Sequence, residues 1–366
     1  MHEIGIIGLG AMGLASAWAA NRKGVSVIGF DQFARGHASG SSHGETRMIR
    51  RIYSEGALYL PLLDRAYQLW PDVETEAGET LFIETGGLDI GVAGSAFVTD
   101  ALACAEASGQ DFDVLDAGAL RSRYPALAVS DDMMALFAPG SGYLLSDAAN
   151  TAFGRLAEAK GASLNWDCAV DRVEILDDGY RLHTVNGTYD VERLINAAGP
   201  WGGLFHAGLD QALTVERQVI GWFDGPADTP PFQRAFTGGD RVYALPGATP
   251  GRWKLALYHH RKETGQAYRE TVPVDAIDRA LIANQLQAIL PECSPPDDFG
   301  VCRFTNTRDG RFILDRSETG EVLIAACSGH GYKFAPAIGE AAVALALNET
   351  PHLDLSEFTM ARQTKL

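Results

Sequence analysis

Apolar residues fall in short unbroken runs near the start of the chain, and the runs are separated by stretches of different period. Ile4 to Ile7 and Val25 to Phe30 are continuous rather than alternating, as suits parallel strands buried on both faces. Between them Ala11 to Asn21 is rich in Ala, carries Leu14 and Trp18 and has few breakers, so the first 31 residues predict a strand, a crossover helix and a second strand. A Gly, Ser and His-rich loop follows at Gly36 to Gly44, then helical spacing over Leu58 to Trp70 and short strands over Leu81 to Ile90. Further on the pattern predicts a helix at Asp147 to Lys160, a strand at Leu164 to Val170, and a hairpin over Tyr180 to Val191 turning at Asn186-Gly187. A strand at Leu194 to Ala198 then runs into Gly199-Pro200-Trp201. Short strands with Gly and Pro turns fill Gln218 to Trp253, and a helix covers Val274 to Leu290. The pattern closes with a strand at Val322 to Ala326, a glycine turn and a helix at Ala337 to Leu347.

These elements predict an α/β plus α+β chain, a doubly wound dinucleotide-binding domain with an inserted strand-rich substrate domain. The boundaries expected are 1–80, 138–208 and 308–366 for the first and 81–137 and 209–307 for the second, with the active site between them. No internal repeat or low-complexity linker interrupts the chain.

Acidic residues outnumber basic ones by 47 to 30, a formal charge of -17, and that field repels a phosphate backbone, so no nucleic-acid partner is expected. An anionic substrate is compatible with it, because a few buried Arg and Lys side chains set the potential inside a pocket. The apolar start is too short to span a membrane and has no basic flank, which points to a cytoplasmic protein with no membrane partner. Five cysteines show neither metal-ligand spacing nor a dense disulfide pattern, so no metal site is expected and a reducing compartment fits.

Gly8, Gly10 and Gly13 form GxGxxG directly between the first strand and the helix. They serve the tight turn, the approach of a pyrophosphate and close helix packing, and the helix N-terminus offers the anion site. Asp31, at the end of the second strand and 23 residues beyond Gly8, can accept hydrogen bonds from a ribose. The motif alone does not choose between FAD and NAD. A polar loop in place of further crossovers favours FAD, and Asp31 disfavours NADP, whose extra phosphate it would repel.

Ser41-Ser42-His43-Gly44-Glu45-Thr46-Arg47-Met48-Ile49-Arg50, Tyr258-His259, Cys302 and Ser328-Gly329-His330-Gly331-Tyr332-Lys333-Phe334 occur in an order that resembles the monomeric sarcosine oxidase and N-methyltryptophan oxidase family of FAD-dependent amine oxidases. The resemblance runs over nearly the whole chain. It implies FAD held covalently through Cys302, where residue type alone would suggest buried filler. It also implies that Arg50 and Lys333 clamp a substrate carboxylate, Arg50 as a bidentate fork and Lys333 as a point charge. Arg47 would lie near the flavin. It shares a face with Arg50 if the stretch is helical and points away from it if extended. His259 would stand behind the substrate amine as a positioning and proton-tuning group. The remaining cofactor contacts implied are Gly8, Gly10, Ala11, Met12, Gly13, Asp31, Gln32, Ser41, His43, Thr46, Val170, Ala198, Trp201, Gly329, His330, Gly331 and Lys333.

Two departures stand out. The family's oxygen-activating lysine precedes its histidine by four residues, whereas Lys254 precedes His259 by five, and in a strand one residue reverses a side chain unless a bulge restores it. Phe304 and Val242 stand where sarcosine oxidase has two pocket tyrosines, which predicts a more apolar pocket and a larger N-substituted amino acid, unless a main-chain shift brings Tyr243 into the site. The expected function is an FAD-dependent oxidase of a secondary or N-methylated amino acid, giving an imine, its hydrolysis products and H2O2, in a monomer. The alternatives are a flavin dehydrogenase with another acceptor, an oxidase of primary amino acids, and a silent flavoprotein subunit.

Overall fold

The computed structural model describes residues 2–265 and 272–365. Strand β1 (His2–Ile7), helix α1 (Ala11–Arg22) and strand β2 (Val27–Phe30) form the expected opening unit, with Ile4 opposite Val27 and Ile7 opposite Phe30 in parallel register. On the other side of β1 lies the strand Gly187–Asn196, also parallel. The eight-stranded sheet runs Val170–Leu176, Gly179–Thr184, Gly187–Asn196, β1, β2, Ser163–Asn165. Val322–Ala325 also pairs with Gly187–Asn196 and carries Ile313–Arg316 on its far side.

Gly187–Asn196 is one ten-residue strand where the sequence pattern suggests a hairpin arm and a separate strand. Its first half is a partly exposed antiparallel partner of Gly179–Thr184, and its second half is buried between parallel neighbours. The hydrophobic period changes within the strand because its neighbours change. Conversely, the strand expected over Leu164 to Val170 divides into Ser163–Asn165 and the start of Val170–Leu176.

Helices α1, Leu60–Ala77, Ser146–Ala159 and Ala335–Ala346 cover one face of this sheet, around a core that includes Trp18, Trp70, Phe153 and Phe334. A methyl group on Gly339 would lie 2.5 Å from the Ala15 carbonyl carbon, so the last helix rides directly on the backbone of α1.

A second sheet of nine strands runs Thr264–Gly265, Leu213–Asp224, Arg252–Leu257, Arg241–Pro246, Phe232–Ala235, Gly87–Val92, Met133–Ala138, Asp113–Asp116. Asp298–Thr307 pairs with the free side of Leu213–Asp224. Helix Ala276–Ile289 packs on its outer face through Ile282, Leu286 and Ile289. Alternation leaves Ile220, Ala256 and Cys302 on the opposite face, with Trp222 and Tyr243 beside them. A small sheet of Arg47–Ile49, Gly142–Leu144 and Phe82–Glu84 sits apart from both. Among the described residues no helix is long and apolar enough to cross a membrane, and no group of three His, Cys, Asp or Glu side chains is placed to hold a metal ion.

Candidate active site

The glycine loop lies at the C-terminal ends of β1 and β2, where a doubly wound sheet opens a crevice. Gly8 has φ +91°, and a methyl group there would meet the Ala197 oxygen at 2.5 Å. On Gly13 it would meet the Gly8 oxygen at 1.9 Å. Both positions therefore require glycine. Ser42 accepts the Ala11 N–H at 3.0 Å, and no acidic side chain occupies the first turn of α1, so the helix N-terminus keeps its positive end for an anion.

A long cavity runs past this loop. Gly8, Gly10, Ala11, Met12, Asp31, Gln32, Ser41, His43, Val170, Ala198 and Trp201, all expected cofactor contacts, line it. Asp31 Oδ2 accepts the Leu9 N–H at 2.8 Å and Oδ1 that of Phe33 at 3.0 Å, which fixes the carboxylate at the rim. His43 Nε2 and Trp166 Nε1 are buried in the lining without a hydrogen-bond partner. Glycines that admit no side chain, a helix end facing the crevice and two orphaned polar nitrogens fit a dinucleotide. Burial, with Arg47 beside it, pushes His43 down to about 4, so its ring is neutral. Leu9, Arg35, His37, Asn150, Trp166, Thr305, Cys327 and Tyr332 also line the cavity. GxGxxG carries no information on them.

Of the other expected residues, Cys302, Tyr243 and Lys254 lie in the nine-stranded sheet, Arg47 lies in the small sheet with Arg50 just after it, and Gly329 to Lys333 form the turn after Val322–Ala325. Cys302 sits opposite Gln218, with Arg47 Nη2 4.0 Å from its sulfur. Arg47 also donates to the carbonyls of Ser41 (3.0 Å), His43 and Thr46 (2.8 Å), binding the polar loop with a guanidinium that has no carboxylate partner among the described residues. Thr46 ties the loop from the other side through Oγ1 to the Pro246 carbonyl at 2.6 Å. The stretch Arg47–Ile49 is a strand, so Arg47 and Arg50 point apart.

Lys254 is buried, and Nζ donates to the Gly44 and Thr46 carbonyls at 2.5 and 2.6 Å. Burial first, then Arg47, holds its pKa well below the ordinary lysine value. Trp253 and Leu255 go to the outer core while Lys254 shares the inner face with Ala256. No bulge is needed within Arg252–Leu257. The extra residue is taken up after Leu257, where His259 turns left-handed at φ +56°.

His259 is half-exposed. Nδ1 lies 2.8 Å from Glu216 Oε2, which also accepts from Asn306 at 2.9 Å. Its neighbour His260 is fully buried against Asp278 at 2.8 Å, and Arg217 and Arg261 share that carboxylate. This network anchors the turn. Phe304 packs against Tyr258 and His259. Val242 joins the outer core, which leaves Tyr243 on the Cys302 face in edge contact with Tyr258 at 5.2 Å. Strand alternation thus puts Tyr243 on this face with Tyr258 against it, the arrangement left open as the alternative to a more apolar pocket.

Arg50 is buried in a charged cluster. Nη1 meets Asp89 at 3.2 and 3.3 Å, Nη2 meets both oxygens of Glu55 at 2.9 Å, and Nε is buried without a partner. Burial works against the Arg50 charge, but Glu55 and Asp89 more than offset it. Lys333 donates to the His330 carbonyl at 2.6 Å, and burial, with Arg50 nearby, pushes it down to about 7. Both cations sit over the Tyr53 ring, Arg50 at 5.2 Å and Lys333 at 5.1 Å. His330 hydrogen-bonds Tyr53 through Nδ1, and burial takes it down to about 3. Gly329 and Gly331 make this turn possible: methyl groups there would meet Phe304 at 2.8 Å and the Ala326 oxygen at 1.7 Å. Glu55, Asp89, Tyr258 and Arg241 are participants that sequence reasoning did not single out as site residues, and only Tyr258, beside His259, lay within a quoted motif.

A glycine-loop crevice lined for a dinucleotide, together with a buried cluster of Arg50, Lys333, Glu55 and Asp89, fits a dinucleotide-dependent oxidoreductase. The chain belongs to the FAD dependent oxidoreductase family (DAO), whose pattern it matches over residues 3–345. It is 34% identical over 373 residues to the N-methyl-L-tryptophan oxidase of Salmonella arizonae, covering 99% of each chain. Among solved structures, NikD, an unusual amino acid oxidase essential for nikkomycin biosynthesis, aligns with a TM-score of 0.85 at 22% identity, over 98% of this chain and 97% of that one. The L-proline dehydrogenase from P. horikoshii aligns with a TM-score of 0.86 at 20% identity, over 100% and 98%.

Proposed function

We propose that this chain oxidises a secondary or N-methylated amino acid to its imine, which water hydrolyses, while O2 is reduced to H2O2. The observation that carries this reading is the placement of Arg50 and Lys333 around Tyr53, beside the face that bears Cys302, Lys254 and Tyr243. When bound, FAD accepts the two electrons from the substrate and passes them on.

Within this reading the α-carboxylate binds Arg50 on the Nε and Nη2 edge. That edge holds one orphaned nitrogen and one held by Glu55, so the substrate enters by taking the place of Glu55. Lys333 adds a second cation. His259, oriented by Glu216, flanks the amine next to Tyr258 and Phe304. Lys254 and Arg47 supply positive charge where electrons reach oxygen. Cys302 is the site of a thioether to the cofactor.

Oxygen uptake and peroxide release by purified holoenzyme, against N-methyl, cyclic secondary and primary amino acids, test this function. Peroxide formed from secondary amines supports it. Flavin reduction without oxygen uptake would instead make the enzyme a dehydrogenase, and reduction by primary amines alone would remove the N-alkyl requirement. Flavin that separates from the acid-denatured chain would overturn the Cys302 linkage.

A further inference from the structure

Beside Tyr258 and His259 lies a second cavity, walled by Phe97, Phe236 and the Gly238-Gly239 turn, and Arg241 faces into it. The Arg241 guanidinium stacks over the Tyr258 ring at 4.0 Å. Its one hydrogen bond to a side chain is a long one, Nη1 to Glu55 Oε1 at 3.4 Å, and Nε and Nη2 have no partner among the described residues. The same Glu55 oxygen is held by Arg50 at 2.9 Å. One carboxylate oxygen thus reaches both guanidiniums, so Arg50 and Arg241 flank Glu55. Of the other charged groups lining the cavity, Lys262 and Asp240 offset each other, and Arg241 is left in excess.

The charges of the cluster point the same way. Arg50 and Arg241 are balanced by Glu55 and Asp89, and Lys333, pushed down to about 7, adds one positive charge when it takes up a proton. An N-alkylated diacid enters with two carboxylates and one ammonium, a net charge of minus one. A neutral side chain would bring no charge to offset that proton and no acceptor for Arg241 Nε and Nη2.

We propose that Arg241 is a specificity-determining residue that binds a second carboxylate on the substrate, so that the preferred substrates are N-alkylated dicarboxylic amino acids. This rests on the amino-acid oxidation proposed above. The α-carboxylate takes Arg50 and Lys333, and the side-chain carboxylate takes the open edge of Arg241 across the Tyr258 ring.

The test is anaerobic flavin reduction by holoenzyme with N-methyl-L-glutamate, N-methyl-L-aspartate, N-methyl-L-alanine and N-methyl-L-tryptophan, in wild type, Arg241→Lys and Arg241→Met. One of the diacids is expected to exceed N-methyl-L-alanine in kcat/KM by about tenfold or more, the effect of one added charge-assisted contact. That ratio should fall towards one in Arg241→Met and be partly kept in Arg241→Lys, with the flavin spectrum and melting temperature of each variant as folding controls. Preference for the alanine or tryptophan compound in wild type, or a ratio unmoved by Arg241→Met, would overturn the proposal while leaving the oxidation reading intact. No reduction by any N-methyl amino acid would overturn both.

Discussion

Glu55 accepts from the Arg50 edge proposed for a substrate carboxylate, so replacing Glu55 with Gln should tighten carboxylate binding. In the free protein its two oxygens accept from Arg50 Nη2 at 2.9 Å, and Arg50 and Arg241 together hold its carboxyl well below the usual range despite burial. An incoming carboxylate must break these bonds before it gains its own. Gln keeps the shape and loses the charge, so the competition weakens by about the contribution of one charge-assisted hydrogen bond, ~1.5–3 kcal/mol. The dissociation constant of a small carboxylate inhibitor, read from the perturbed flavin absorbance, should fall about tenfold to a hundredfold. The free variant should also melt earlier, because Arg50 keeps only Asp89 as a charged partner, and saturating carboxylate should restore the difference. An unchanged or weaker affinity would show that Glu55 does not compete for the substrate's place.

Four further outcomes are expected. Carboxylate affinity should be highest below about pH 7, where Lys333 is protonated in the free enzyme, and should decline above it as binding has to recruit a proton; a flat pH profile of the inhibitor constant would remove Lys333 from the clamp. The same depressed pKa means that the unfolded chain holds the Lys333 proton between about 7 and 10.5 while the folded chain does not, so this residue makes stability rise with pH over that window, which urea titrations at several pH values can check against Lys333→Met. Lys254→Met should slow reoxidation of the reduced enzyme by oxygen far more than it slows reduction by substrate, and equal reoxidation rates in stopped-flow would end its proposed role. Asp278→Asn should destabilise the protein by about 3–5 kcal/mol in urea unfolding, since it leaves Arg217, His260 and Arg261 without their shared buried carboxylate.

The opening unit was legible because one local pattern, two buried strands around a breaker-free helix with glycines at the joint, admits few folds. Asp31 followed from its place at a strand end. The cationic cluster was half legible. Arg50 and Lys333 came with their motifs, but the carboxylates that neutralise Arg50 did not. Asp89 reaches it from strand Gly87–Val92 of the larger sheet, and no spacing rule connects a loop arginine with a strand in another sheet. Arg241 was hidden for the same reason, since its role depends on which strands pair. Helix Ala96–Ser108 was missed because its apolar residues form no clear stripe. The direction of Lys254 could not be read from its distance to His259, because the two belong to different local geometries, a regular strand and an irregular turn.

That turn separates two kinds of change in the sequence. Because the additional residue between Lys254 and His259 is absorbed where the backbone has already left the sheet, the length of this connection can vary without rotating the lysine, whose orientation is locked by its pairing with Trp222 and Leu245. Gain or loss of one residue there would alter how His259 approaches the pocket while Lys254 stays fixed. The two halves of the proposed reaction cycle can therefore diverge independently, with amine recognition adjusted by insertions and deletions and electron delivery held by strand register.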